Sequence, residues 1–150
     1  MLALMLFAPK ARAIITCTTS ASTVVFGTYN PFSATATDSA GNVQVQCHRS
    51  GSGSFISYII SLSKGGSGTY TPRYMFHLVV NHLNYNLYTT TARVTIWGDG
   101  TSGTSKISDS YSISGNETET RNYIPYGRIP ALQNIVPGTY TDTITVTVTY

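Results

Sequence analysis

The chain ends with Gly138-Thr-Tyr-Thr-Asp-Thr-Ile-Thr-Val-Thr-Val-Thr-Tyr150, and this stretch decides the fold. Threonine occupies every odd position from Thr139 to Thr149, whereas the even positions carry Tyr140, Asp142, Ile144, Val146, Val148 and Tyr150. Successive side chains of a strand point to opposite faces, so the pattern predicts one long strand with an apolar face and a hydroxyl face. No turn or returning strand follows. We therefore expect the strand either to close a sheet or to leave an edge for another chain.

The composition extends the β prediction to the whole chain. Of the 150 residues, 23 are Thr, 17 are Ser and only 10% are charged. This length suits one domain with its own core, and turn residues recur between β-prone segments. The spacings of the strand candidates favour an antiparallel, immunoglobulin-like sandwich of about seven strands. Among the candidates are Ser22–Phe26 as the first strand, Val43–Cys47, Phe55–Ser63, Tyr74–Leu78, Leu83–Leu87, Val94–Trp97, Tyr111–Ile113 and the region Arg121–Ile129.

The first thirteen residues have the form of a secretory signal. Leu2–Ala8 is a short apolar run, and Ala11-Arg-Ala13 has the small-x-small form of a cleavage site. No basic residue precedes the apolar run, which leaves open a start codon further upstream. The run is too short to span a membrane, which takes roughly 20 apolar residues. We therefore predict a signal peptide over residues 1–13, a mature domain over residues 14–150, and export.

The mature chain has little net charge. Without Lys10 and Arg12, seven basic and six acidic side chains remain, a net charge of +1. Nucleic-acid binding, which depends on a concentration of basic residues, therefore has no electrostatic support.

Two cysteines remain, Cys17 and Cys47, and an exported protein would hold both in an oxidising compartment. The pair predicts one disulfide that closes a loop of about 30 residues, worth about 3–4 kcal/mol in the chain-entropy model. A metal site or a catalytic thiol is the alternative. The chain has no CxxC, and His48 is the one histidine beside either cysteine, so the disulfide is favoured.

The ionisable residues do not predict an enzyme. The six acidic residues lie mostly in polar, turn-like segments, and no two have a spacing that forces them into one pocket. His48, His77 and His82 lack metal-ligand spacing with any Asp, Glu or Cys. No nucleophile signature is present. We predict no catalytic residue, no metal and no cofactor.

Trp97-Gly-Asp-Gly100 has two interpretations. A calcium loop needs six or more oxygen ligands, and this neighbourhood supplies one carboxylate. Trp97 could instead stack on a sugar as a candidate ligand-binding aromatic, together with some of the eleven tyrosines. A core tryptophan followed by a tight turn is the favoured interpretation.

Several short blocks, in this order, resemble the spore coat protein U domain, a domain that also forms the subunits of archaic chaperone–usher pili. The resemblance covers essentially all of Cys17–Tyr150. The blocks are Cys17 with Phe26-Gly-Thr-Tyr-Asn-Pro31, Val43-Gln-Val-Gln-Cys47, Leu62-Ser-Lys-Gly65, Arg73-Tyr-Met75, Leu83-Asn-Tyr-Asn-Leu-Tyr88, Trp97-Gly-Asp-Gly100, Tyr126-Gly-Arg-Ile-Pro130, and Gly138-x-Tyr140-x-Asp142 with the Thr/Val strand.

The resemblance implies an incomplete immunoglobulin-like β-sandwich that lacks its final strand. In that family a periplasmic chaperone lends a strand to the open groove, and at an outer-membrane usher a neighbouring pilus subunit replaces it. The edge that accepts the strand, and that the chaperone binds, would be formed by Ile144, Val146, Val148 and Tyr150. The Tyr150 carboxylate would be a candidate contact for a basic anchor on the chaperone. The protein would cross the periplasm to the cell surface without membrane insertion.

One feature departs from the family pattern. Subunits that polymerise carry a donor segment before the first cysteine, whereas cleavage after Ala13 leaves only Ile14-Ile-Thr16, which spans about 10 Å. This predicts a terminal or minor subunit that accepts a strand but does not donate one. A secreted spore- or cell-coat protein of the same fold, a tip carbohydrate-binding adhesin, or a different cleavage site are the alternatives.

Overall fold

The computed structural model describes residues 14–51, 55–78 and 80–150, and every regular element within them is a β-strand. None of these residues forms a helix long and apolar enough to cross a membrane. The predicted signal peptide, residues 1–13, lies outside the described residues. The strands are β1 (Ile14–Ala21), β2 (Thr37–Ala40), β3 (Val43–Ser50), β4 (Phe55–Leu62), β5 (Arg73–His77), β6 (Asn81–Tyr88), β7 (Ile107–Ser112), β8 (Thr118–Tyr123), β9 (Tyr126–Ile129) and β10 (Val146–Thr149).

These strands form three antiparallel sheets, in the orders β1-β3-β8, β10-β4-β7 and β2-β9-β6-β5. The first two sheets meet across the interior, where the rings of Tyr58 on β4 and Tyr123 on β8 lie edge to face with centroids 6.2 Å apart. The predicted all-β antiparallel sandwich is confirmed.

The core follows from the alternation of side chains along the strands. On β4, Ile56, Tyr58, Ile60 and Leu62 are buried, while the residues between them are exposed or half-buried. β3 shows the same two-residue period, because Val43, Val45 and Cys47 point inward. β4 lies within the predicted segment Phe55–Ser63, and β3 contains the predicted Val43–Cys47 and extends beyond it to Ser50. Both were predictable because a central strand with one buried face must alternate.

The prediction of the first strand is wrong. The first strand is β1, Ile14–Ala21, whereas Ser22–Phe26 belongs to no sheet. The alternation in that segment is nevertheless real, since Val24 and Phe26 pack against the core while Val25 is 70% exposed. The segment has inward and outward side chains but no neighbouring strand with which to form a ladder.

The prediction of one long final strand is only partly right. Only Val146–Thr149 pairs with β4, whereas Thr139–Thr145 is irregular apart from a bridge between Thr141 and Phe76 of β5. The final segment therefore passes from β5 to β4, and the crossing interrupts the ladder. Even so, its even positions stay half-buried and its Thr positions exposed up to Thr149.

Two further differences concern short elements. β2 has four residues and escapes the sequence pattern, because Thr37-Asp-Ser-Ala40 has no apolar face. Val94–Trp97 forms no strand; single bridges join Ile96 to Tyr88 and Trp97 to Ser105.

The predicted disulfide is present. Cys17 on β1 and Cys47 on β3 lie directly opposite each other in the sheet, with their Cα atoms 4.0 Å apart. The bond therefore ties the outermost strand of this sheet to the central one.

A candidate strand-acceptor groove

A groove runs along the side of the sandwich between the segment after β1 and the final segment. It consists of two cavities, of about 420 and 610 Å³, that join because they share lining residues. The shared residues are Thr23, Val24, Phe26, Met75 and Tyr140.

The floor of the groove is the side of the hydrophobic core that borders the two cavities. Its residues come from five strands, which explains why no single stretch of sequence predicted it. They are Val43 of β3, Leu62 of β4, Met75 of β5, Leu83, Tyr85 and Leu87 of β6, and Ile129 of β9. All seven side chains are buried in the core cluster, so any occupant of the groove would complete the core.

The first wall is the segment 21–29, and it rests on two glycines. A Cβ atom at Gly127 would lie 2.7 Å from the Phe26 ring, and one at Gly41 would lie 2.8 Å from a Val24 methyl. Only glycine allows these side chains to approach the backbone so closely. The Phe26 ring also meets Tyr85 of the floor edge to face, with centroids 6.0 Å apart. The wall is thus held mainly by side chains.

Few backbone groups of this wall are hydrogen-bonded. Ser22 N–H donates to Asn42 O (2.8 Å), and the Ser39 hydroxyl donates to Val25 O (2.6 Å). The Tyr29 hydroxyl donates to Pro130 O (2.9 Å) and fixes the far end. Among the described residues, the other backbone N–H and C=O groups of 23–29 have no protein partner. A segment that lies along the core in this state has the backbone of an unpaired strand edge.

The second wall is the final segment, and its hydrogen bonds alternate. Thr141 exchanges two backbone bonds with Phe76 (2.8 and 3.0 Å), and Thr145 bonds to the backbone and the hydroxyl of Ser63 (both 2.9 Å). Within the described residues, the backbone groups of Tyr140, Asp142 and Ile144 have no such partners. In an antiparallel arrangement these alternate residues direct their N–H and C=O groups to the opposite side, which here is the groove.

The predicted acceptor residues occupy three kinds of position. Ile144 and Val146 line the groove. Val148 packs against the core opposite Ile60 of β4 and lines neither cavity. Tyr150 lies beyond β10, is 58% exposed and likewise lines neither cavity. The structure therefore places Ile144 and Val146 at the groove and Val148 and Tyr150 outside it, while the acceptor role of all four residues stays a prediction.

Asp142 fastens the second wall to the rest of the molecule. Its carboxylate accepts hydrogen bonds from the Tyr85 hydroxyl (2.7 Å), Gly66 N–H (2.8 Å) and Thr143 N–H (2.8 Å). Burial and the neighbouring Asp142 charge raise the pKa of Tyr85 well above its usual range, so the phenol stays protonated and donates. In the sequence, the only sign of this anchor is a single acidic residue on an otherwise apolar strand face.

The candidate role of Trp97 in ligand binding is wrong. Its side chain is 0% exposed, and the indole Nε1–H donates to Ile60 O (3.1 Å). The buried Arg73 guanidinium in turn donates to Trp97 O (2.8 Å) and to Asn86 Oδ1 (2.8 Å). A ring enclosed in this way has no face to offer a sugar. The favoured interpretation, a core tryptophan followed by a turn, is confirmed.

The histidines and acids do not form a metal-binding cluster in the part of the chain that the structure describes. No group of three His, Cys, Asp or Glu side chains could hold a metal ion there. His77 packs beside Tyr140, with ring centroids 5.4 Å apart, whereas His82 stacks on Tyr74 at 4.3 Å.

Comparisons with known proteins agree with this architecture. The family model described as the Spore Coat Protein U domain matches residues 3–147. No curated protein matches the chain. One similar solved structure is the CsuC–CsuE chaperone–tip adhesion subunit pre-assembly complex from the archaic chaperone-usher Csu pili of Acinetobacter baumannii. The identity is 22% and the TM-score 0.52, over 91% of this chain and 40% of that chain.

The chain thus spans about two fifths of the chain it resembles, and the likeness concerns the fold. It supports the immunoglobulin-like sandwich, and the groove marks the place of the final strand that this sandwich lacks. The family match, by contrast, extends over nearly the whole sequence. This chain belongs to the spore coat protein U domain family.

Proposed function

We propose that this chain is a structural, non-enzymatic subunit of a bacterial surface pilus, and that its groove is filled by a β-strand of another chain. A periplasmic chaperone supplies the strand first, and a neighbouring pilus subunit replaces it at an outer-membrane usher. Residues 1–13 direct export as a signal peptide, and the mature domain 14–150 passes through the periplasm to the cell surface.

The observation that carries this proposal is the match between the two walls. Both present backbone groups without partners among the described residues, and both flank a floor of buried apolar side chains. One added strand would pair with the second wall and the first wall, and would place alternate side chains on the floor. Strand addition of this kind derives affinity from backbone bonds and specificity from alternate side chains.

The half-buried state of the second wall supports the same conclusion. Tyr140, Ile144 and Val146 pack against the core yet remain only partly covered. Covering apolar surface stabilises a protein by about 25 cal/mol per Å² removed from water, so an occupant adds stability beyond its hydrogen bonds. An empty groove also exposes a template for aggregation, which is the physical reason for a chaperone.

The three residues before Cys17 already form part of strand β1. Ile14, Ile15 and Thr16 pair with Ser50, Arg49 and His48 within the chain's own sheet. They are therefore not free to serve as a donor strand, and a donor function would require a segment before Ile14.

The test compares two adjacent valines on the first wall. Val24 lines both cavities, whereas Val25, next to it, borders only the second cavity and its side chain is 70% exposed. The chain is exported together with each periplasmic chaperone encoded by the source genome, and the complex is purified. Val24→Asp places a charge against apolar surface and should reduce the chaperone recovered with the chain about tenfold or more, while Val25→Asp should leave it unchanged.

A second pair repeats the comparison on the opposite wall. Ile144→Asp should behave as Val24→Asp does, and its control is Thr147→Asp, because Thr147 is exposed and lines neither cavity. Equal recovery with all four variants would contradict the proposal. So would a chain that, exported without any chaperone, is a soluble monomer whose resistance to urea does not rise when a chaperone is added. Such a monomer, with no chaperone or usher gene nearby, would favour a secreted coat protein of the same fold.

A further inference from the structure

The outer strands of the three sheets differ in how their edges are protected. Natural sheets guard free edges by shortness, by charge, by inward-pointing charged residues or by cover from another segment. β7 and β8 carry the half-buried Asp109 and Arg121, whose side chains form an ion pair (Nη1–Oδ2 3.1 Å) between the two edges. β2 has only four residues and contains Asp38. β5 is bonded to Thr141 of the final segment.

Two outer strands remain, β10 and β1, and β10 is as short as β2, with four residues. The edge of β10 continues the groove wall, so the proposed function accounts for it. β1 is longer, with eight residues, Ile14–Ala21, and contains neither a charged residue nor a proline. Six of its eight residues are exposed, the exceptions being Ile15 and Cys17. Among the described residues its only strand partner is β3.

The disulfide shows which backbone groups this edge presents. The 4.0 Å between the Cα atoms of Cys17 and Cys47 fits a non-hydrogen-bonded antiparallel pair, whose Cα atoms lie about 4.5 Å apart rather than about 5.5 Å. The N–H and C=O groups of Cys17 therefore point away from β3. By the same alternation, so do those of Ile15, Thr19 and Ala21. The disulfide also holds β1 against β3.

We propose that β1 pairs antiparallel with β1 of a second copy of this chain, about a two-fold axis at Thr18. This register places Cys17 opposite Thr19 and Ile15 opposite Ala21, so every residue with outward backbone groups meets another of the same kind. A register shifted by one residue would put inward side chains opposite outward ones. The inference is independent of what fills the groove, but it requires β1 to begin the mature chain, as proposed above.

The side chains favour a second copy as the partner. On the outer face Thr18 meets Thr18, and Thr16 meets Ser20, which are pairs of hydroxyl residues of the kind that stabilise neighbouring strands. Gln44 and Gln46 lie beside them on β3 and are likewise uncharged. No like charges confront each other across the two-fold axis, so self-pairing carries no electrostatic cost. Of β1, only Ala21 reaches the groove, which leaves the groove free for its own strand.

The test introduces a lysine at one of two matched threonines. Thr16 and Thr120 are both exposed and face the same side of the same sheet, but Thr120 lies on β8 at its other edge. The full chain is exported, and its sedimentation velocity is measured over a range of concentrations, with fluorescence of Trp97 as a check of folding. Wild type should dimerise, Thr16→Lys should raise the dimer Kd about tenfold or more, and Thr120→Lys should leave it within about twofold.

The double variant Thr16→Lys with Ser20→Asp tests the register and keeps the proposal falsifiable if a single variant folds poorly. In the proposed register the introduced lysine of each copy lies opposite the introduced aspartate of the other, so dimerisation should return. Three outcomes would overturn the proposal: a wild-type chain that is monomeric at every concentration, equal weakening by Thr16→Lys and Thr120→Lys, or no recovery in the double variant. Association that disappears once a chaperone occupies the groove would overturn it as well, because the contact would then lie in the groove.

Discussion

Asp142 lines the groove and also anchors the final segment by hydrogen bonds. It stands on the inward side of the final segment, where its neighbours Tyr140 and Ile144 are apolar or amphipathic. Its carboxylate nevertheless collects donors from β6 and from the loop at Gly66. These hydrogen bonds hold the final segment near its middle. They therefore fix the position of the second wall relative to the floor of the groove.

We expect Asp142→Asn to lower the free energy of unfolding by about 1–3 kcal/mol, because one carboxylate oxygen becomes an amide that cannot accept from its present donors. The exposed neighbour Thr143→Ala is the control and should stay within about 0.5 kcal/mol of wild type. Urea unfolding followed by the fluorescence of Trp97, the single tryptophan, measures both. Equal stability of Asp142→Asn and wild type would show that the anchor is dispensable.

Residues whose role depends on one local pattern were predictable, and those that depend on several strands were not. The pairing of Cys17 with Cys47 followed from number and compartment. The inward positions of Ile144 and Val146, which line the groove, followed from a two-residue period. Asp142 and Tyr85 are 57 positions apart, and only the folded sheet brings their side chains together. The turn residues that follow Trp97 allow a sugar-binding interpretation of the sequence, whereas the folded chain buries the Trp97 side chain completely.

At the scale of elements, the disulfide matters because β1 has β3 as its only strand partner among the described residues. Removing the bond with the double variant Cys17→Ala and Cys47→Ala should cost about 3–4 kcal/mol, since the closed loop has about 30 residues. Reduction of the wild-type protein should produce the same shift in the urea midpoint. A loss below about 1 kcal/mol in both experiments would show that the sheet holds β1 without covalent help.

An ion pair between Asp38 and Arg128 connects the short strand β2 to β9. Asp38 accepts two hydrogen bonds from Arg128 (2.7 and 2.8 Å), and this hydrogen bonding, helped by the charges of Arg128 and Arg93, holds the pKa of Asp38 below its usual range. A carboxyl whose pKa is lower in the folded state adds stability above its unfolded pKa, near 3.9, and loses it as the pH falls through the folded value. The pair is about one-third exposed, so its contribution is below about 1 kcal/mol.

Asp38→Asn should therefore be less stable than wild type at pH 6, and the difference should disappear near pH 2. Urea midpoints of both proteins at the two pH values measure this. A difference that persists at pH 2 would mean that Asp38 acts through packing rather than through its charge.

Elements with one fully buried face were predicted well, and elements at the groove were not. β3 and β4 alternate because a complete core covers one side of them. Ser22–Phe26 alternates for the same reason, but its backbone has no adjacent strand, so the prediction of a strand there fails. Thr139–Thr145 fails similarly, because it crosses between two sheets. Both segments lie beside the groove, where each has strand-like side chains but no strand partner along part of its length.

For the whole molecule, the fold class was predictable from composition and spacing, but the three-sheet arrangement was not. The order β2-β9-β6-β5 joins segments that are far apart in sequence. In addition, β2 lacks the alternating apolar residues from which a strand could be predicted. What the sequence does encode is the incompleteness of the sandwich. The apolar positions of the final segment are those of a central strand, yet in the isolated chain they are only half-buried.

The passage of the final segment from β5 to β4 has a mechanical consequence. Thr141 is bonded to β5, and Thr145–Thr149 is bonded to Ser63 and β4, so a single stretch of chain is fastened to two different sheets. A pull along this stretch loads both sets of bonds in shear at the same time, instead of opening one ladder bond by bond. In a pilus held together by a strand lying beside this segment, tension would enter each subunit here and divide between two sheets.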